Sequence, residues 1–270
     1  MRFKLSLNID YQAYGGTLPI NYHYELSAWI YKVIAQGDQQ YAEWLHLNGF
    51  SEKHRNFKLF VFSKLYSPAT KPEGDRLIFR SDKASFYLSL LPEKSTEAFI
   101  KGIFREQVFS LGDKISKVQF RVLQIEMISP PDFTNQYVFK TISPVVVSAN
   151  QENSRYPRYV SPDENGYGQL IINNLKEKYR LFYNKIFDGD TNFEFELLSP
   201  IKSKLITIKA GLKEETQVRG FFFTFRLVAD SELLRVMYDA GLGEKNSQGF
   251  GCVEHKSQER ITSSPDPQKT

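Results

Sequence analysis

Residues 2–10 alternate strictly, with Phe3, Leu5, Leu7 and Ile9 on one face and Arg2, Lys4, Ser6 and Asn8 on the other. That period of two predicts a half-buried β-strand. From residue 22 the period lengthens to that of a helix: Leu26, Trp29, Ile30 and Val33 share one stripe as far as about residue 35, and Gly37 with Asp38 reads as a stop followed by an N-cap. A short second helix is expected to about Gly49. Aromatic strands are predicted at 57–66 and 77–91, on either side of the turn-forming SPATKPEGD. Pro92 and Glu93 open a helix to about residue 109, and 117–128 reads as a closing strand.

After the Pro130-Pro131 hinge the β-α-β-β-α-β order recurs. A strand is predicted near 136–148, a helix near 167–186, strands near 193–199, 204–209 and 217–228, a helix near 231–240 and a strand near 250–256. Two split β-α-β units in series define an α+β protein with two tandem ferredoxin-like domains, residues 1–129 and 130–256. Residues 257–270 lack periodicity and are expected to be disordered.

Composition narrows the chemistry. The chain has 270 residues, 41% of them hydrophobic, which is enough to fill real cores. A net charge of +4 permits nucleic-acid binding without specifying it. A single cysteine, Cys252, excludes an intrachain disulfide framework, and four scattered histidines leave no zinc-ligand spacing. Catalysis without a metal or cofactor is therefore expected. The alternating start is unlike an export signal, and no apolar run has bilayer-spanning length, so a cytoplasmic location is expected.

The most specific local feature is GLGEKNSQGFG, residues 241–251, between a predicted helix and the last strand. A P-loop or a dinucleotide fingerprint needs a strand before the glycines and a helix after them, and neither condition is met. Gly241, Gly243, Gly249 and Gly251 permit unusual backbone angles and close approach, while Lys245, Asn246, Ser247 and free N–H groups are suited to phosphate. The alternative is a helix C-cap at Gly241 with a bulge before the strand.

With MRFKLSLNI, LPINYHYELSAWIYKVI, YAEWLHLNGF, FKLFVFSKL and TISPVVV, this loop resembles the glycine-rich signature of the RAMP superfamily, and within it the CRISPR repeat-processing endoribonucleases. The resemblance implies a metal-independent nuclease that binds CRISPR repeat RNA and cuts it through attack of a 2′-hydroxyl, leaving 2′,3′-cyclic phosphate and 5′-hydroxyl ends. It implies no membrane, a monomer or homodimer, and transfer of the product to, or retention with, an interference complex. It also implies catalytic roles for Tyr31, His46 and Lys58. A non-catalytic RAMP-type subunit that holds RNA is the alternative, and its mark would be a missing histidine at the helix end.

Periodicity is consistent with the first two assignments. At about 100° per residue, Tyr31 lies off the stripe of Leu26, Ile30 and Val33, and His46 lies off that of Tyr41 and Leu45. His46 also falls in a last helical turn, where the helix dipole favours an imidazolium. His54 is the competing histidine. For wider binding, Lys202, Lys204 and Lys209, with Arg155 and Arg158 beside Tyr156 and Tyr159, are candidates to follow a phosphate backbone and stack on bases.

Overall fold

The computed structural model describes residues 1–52, 55–133, 136–150 and 157–256. Its first sheet is built on β1 (Arg2–Asp10), whose alternation places Phe3, Leu5, Leu7 and Ile9 in the core. Helices α1 (His23–Gly37) and α2 (Gln39–Leu47) follow, then β2 (Phe60–Phe62), β3 (Lys83–Leu90), α3 (Glu93–Ile103), β4 (Val108–Gly112) and β5 (Lys117–Ile128). The sheet order is β2-β3-β1-β5-β4, with every pair antiparallel. Without its edge strand β4 this is the ferredoxin-like permutation, in which the first strand lies between the third and the fourth.

Helices α1 and α3 cross with almost no space between their backbones. A Cβ built on Gly102 would lie 1.8 Å from the Val33 carbonyl oxygen, and one on Gly37 would lie 1.9 Å from that of Ala98. Gly37 therefore ends α1, as the sequence predicts, and also sets the helix crossing, where any side chain would force the pair apart.

The second unit repeats the plan. β6 (Gln136–Thr141), α4 (Tyr167–Tyr183), β7 (Glu194–Leu197), the hairpin of β8 (Lys202–Ile208) and β9 (Thr216–Phe222), β10 (Thr224–Val228), α5 (Ser231–Ala240) and β11 (Val253–His255) form it. Its sheet runs β7-β10-β6-β11, the same permutation as the first. Each sheet has its own core, one around Leu5, Phe86 and Phe120 and one around Phe139, Leu175 and Phe225.

Several boundaries differ from expectation. The strand foreseen over 57–66 is interrupted: Phe57 closes a short strand, Arg55–Phe57, Leu59 adopts a left-handed backbone, φ 53°, and regular pairing resumes over β2. The expected turn around residues 67–75 contains a strand, Thr70–Glu73, in a small sheet with Thr17–Pro19 and Arg76–Phe79. Helix α3 stops at Ile103, and the residues beyond it turn into the edge strand β4. The strand expected over 217–228 is two strands, and β9 leaves the main sheet to pair with β8.

The units are joined by a buried arginine. Arg2, on the face of β1 that its polarity assigns to solvent, is 3% exposed. It donates to Ser89 Oγ (2.6 Å), the Val253 carbonyl (2.6 Å) and the Tyr238 carbonyl (2.7 Å), and lies over the Tyr238 ring. Among the described residues, no helix is long and apolar enough to cross a membrane.

Candidate active site

Helix α1 carries two working faces. Leu26, Ile30 and Val33 fill the first core. A second row, His23, Ser27 and Tyr31, recurs every fourth residue and so lies along one side of the helix, where it meets the glycine-rich loop of the other unit. A Cβ on Gly249 would come within 2.9 Å of the His23 ring and 2.6 Å of Phe62. Ser27 Oγ donates to the Ser247 carbonyl at 2.7 Å, and the Ser247 side chain lies close to the Tyr31 phenol. His23, stacked on Tyr22 and Phe250, is buried, which lowers its pKa to about 4; Lys204 adds to the shift. It is a neutral packing residue near pH 7.

The Tyr31 ring meets Phe60 edge-on at 5.4 Å and His46 at 5.2 Å between centroids. Burial raises the Tyr31 pKa well above the usual phenol range. His46 projects from the exposed side of α2, a helix begun by an Asp38 side chain that accepts from the Tyr41 amide. Burial of Tyr41, Ala42 and Leu45 on the opposite side fixes that orientation.

Lys58 completes the cluster. Its ammonium donates to the His46 backbone carbonyl at 2.7 Å, capping an acceptor that the helix end leaves open. The left-handed Leu59 that follows buries its side chain in the second unit's core and turns Lys58 outward. Holding a leucine there costs about 1–2 kcal/mol, supplied by its burial. Partial burial lowers the Lys58 pKa to about 8. Tyr31, His46 and Lys58 thus form one cluster, with Tyr31 as the member nearest the glycine-rich loop, whereas the competing His54 lies outside the described residues.

The loop itself corrects one expectation. All four glycines have positive φ, yet all are buried against protein: a Cβ on Gly243 would lie 2.3 Å from the Val146 carbonyl oxygen, and one on Gly251 would lie 2.0 Å from that of Leu242. Their close approach is to the fold and not to a ligand. Asn246 is likewise turned inward, with Nδ2 donating to the Leu242 and Phe250 carbonyls. Gly241, Gly243, Gly249, Gly251 and the Asn246 side chain are therefore unavailable to phosphate here, and Lys245 and Ser247 are the members that reach the surface.

Of the wider basic candidates, Lys202 and Lys204 line two adjoining cavities of about 570 and 380 Å³ between the units. The two share Lys64, Tyr66 and Phe222, with the Lys64 ammonium 5.1 Å from the Tyr66 ring centroid. Lys209 lies over Tyr24. Arg158 is engaged by Glu164, and Arg155 and Tyr156 lie outside the described residues. Lys64, Tyr66 and Phe222 escape sequence reading because each belongs to an alternating strand or its edge. Only the docking of the two units brings Phe222 beside Lys64 and Tyr66. Among the described residues, no group of three or more acidic, histidine or cysteine side chains is arranged to hold a metal ion.

Two ferredoxin-like units docked on one another, with the glycine-rich loop of the second against a helix of the first, define a tandem ferredoxin-like protein of the α+β class. Solved structures with this fold include a RAMP protein described as binding different RNA substrates (TM-score 0.79, 23% identity, covering 95% of this chain and 100% of that one). Another is the product of a Cas6-related gene from Pyrococcus furiosus (TM-score 0.81, 21% identity, covering 96% and 99%). Family profiles for the CRISPR-associated protein Cas6 match residues 17–126 (N-terminal) and 128–255 (C-terminal). The CRISPR-associated endoribonuclease Cas6 1 of Methanocaldococcus jannaschii is 30% identical over 257 residues, 94% of this chain and 92% of that protein. The chain belongs to the Cas6 family of CRISPR-associated endoribonucleases.

Proposed function

We propose that this protein binds CRISPR repeat RNA and cuts it by attack of a 2′-hydroxyl on the adjacent phosphate. O2′ bonds to phosphorus, the bond to O5′ breaks, and the ends are a 2′,3′-cyclic phosphate and a 5′-hydroxyl. The observation that carries this reading is the cluster in which the Tyr31 ring meets that of His46 and the Lys58 ammonium reaches the His46 backbone carbonyl. His46 transfers a proton, the role for which imidazole is matched near neutral pH. Tyr31, held protonated by burial, orients the 2′-hydroxyl by donation and is not the base. The Lys58 ammonium stabilises charge on the phosphate oxygens. Lys202 and Lys204, with Lys64 and Tyr66 beside them, offer phosphate and stacking contacts for the rest of the repeat. The product passes to, or stays with, an interference complex.

The deciding experiment incubates the purified protein with labelled repeat RNA in excess EDTA. A single cut is expected, with a cyclic phosphate on the upstream fragment. A requirement for added metal, or a free 3′-hydroxyl, refutes the mechanism.

A pH dependence follows from Lys58. Its charged form does the work and its pKa is lowered to about 8, so the single-turnover rate is expected to fall as pH rises through that value. Lys58→Arg keeps its charge there and should remove the alkaline fall. A fall that persists in the arginine variant assigns it to another group.

A further inference from the structure

Beneath the glycine-rich loop lies a cation that neither the cleft nor the basic groove uses. Lys178 follows Ile171 and Leu175 on the buried stripe of α4 and is 0% exposed. Its ammonium donates to the Gly241 carbonyl at 2.6 Å, the Gly243 carbonyl at 2.8 Å and Asn246 Oδ1 at 2.7 Å. All three acceptors belong to one loop, and none is a carboxylate. Burial opposes the ammonium and lowers its pKa. A core position that needed only volume would be better filled by leucine or methionine. The same ammonium lies 5.8 Å from the ring centroid of Phe57, the residue before Lys58.

The grip has a direct path to the cleft. Lys178 fixes Asn246, which also ties the loop from inside through Leu242 and Phe250. The next residue, Ser247, accepts from Ser27 through its carbonyl and lies close to the Tyr31 phenol, one turn further along α1. We propose that Lys178 is a positioning residue for cleavage: it clamps the glycine-rich loop from below so that Ser247 holds the Tyr31 phenol against His46. This rests on the catalytic reading of Tyr31 and His46. It separates loop geometry from affinity, because Lys178 touches no surface that RNA can reach.

The test replaces Lys178 with methionine, which keeps length and removes the donors. Folding is checked by circular dichroism and thermal melting. Single-turnover cleavage at saturating protein is expected to fall about 10- to 100-fold, the scale of a misplaced catalytic group, while Kd for the repeat rises no more than about threefold. Hydrogen exchange at residues 241–251 should quicken in the variant, a readout that holds whether or not the protein cuts RNA. Failure of the wild type to cleave would therefore count against the nuclease reading alone. A folded Lys178→Met protein that cleaves at the wild-type rate, or that loses affinity and rate in proportion, overturns the proposal. Should Lys178→Met fail to fold, Asn246→Ala decides, because it removes one of the three acceptors of the ammonium and leaves the two carbonyls: a lowered saturating rate with Kd unchanged supports the clamp, and a wild-type rate overturns it.

Discussion

Replacing His46 with alanine is expected to lower the single-turnover rate of repeat cleavage by about two to four orders of magnitude, the usual worth of a positioned acid or base. Affinity should change little, because the imidazole acts on a proton that moves only in the transition state. The fold should survive as well. His46 is exposed, and what ties its helix to Lys58 is the backbone carbonyl, which alanine retains. Tyr31 keeps its edge contact with Phe60. Rate measurements with protein in excess, paired with gel-shift titrations, separate the two quantities. Wild-type cleavage by His46→Ala would remove the central assignment and turn attention to His54.

The second large effect is on the RNA. A repeat carrying a 2′-deoxy nucleotide immediately before the cut should bind as the all-ribose repeat does and remain intact. The cleft supplies a proton-transfer group, a phenol donor and a cation, and no nucleophile of its own among Tyr31, His46 and Lys58 attacks phosphorus in this scheme. Deleting one oxygen from the substrate therefore removes the attacking group while leaving the phosphate contacts in place. Cutting of the deoxy substrate at the same phosphate would point to water as the nucleophile.

Much of this was legible from residue order. The two ferredoxin-like units follow from alternation in β1 and from helical periodicity in α1 and α3. Tyr31 and His46 are singled out by the resemblance to repeat-processing nucleases, and their places off the apolar stripes of their helices agree with it. What could not be read was the second face of α1. His23, Ser27 and Tyr31 look like a solvent-facing row until a loop more than two hundred residues later covers them. The hairpin of β8 and β9 reads as sheet strands because alternation does not say which partner a strand takes. Glycine has a similar ambiguity: a loop rich in it signals close approach but not to what, and here the partners are Val146, Leu242, Phe62 and His23. Lys178 did leave a signal, a lysine three residues after Leu175 on an otherwise apolar stripe, which marks either an error of register or a buried cation with specific partners.

The contact between Ser27 and Ser247 spans 220 residues of chain. At ordinary rates of synthesis a ribosome needs on the order of ten to forty seconds to travel that distance, and first domains fold as they emerge. During that interval the helix bearing Tyr31 can form and pack, but the loop that seats the phenol does not yet exist. On the proposed assignment, nuclease competence arrives with the closing strand of the second unit, and a half-made chain on its own messenger carries the histidine and the lysine without the loop that completes their surroundings.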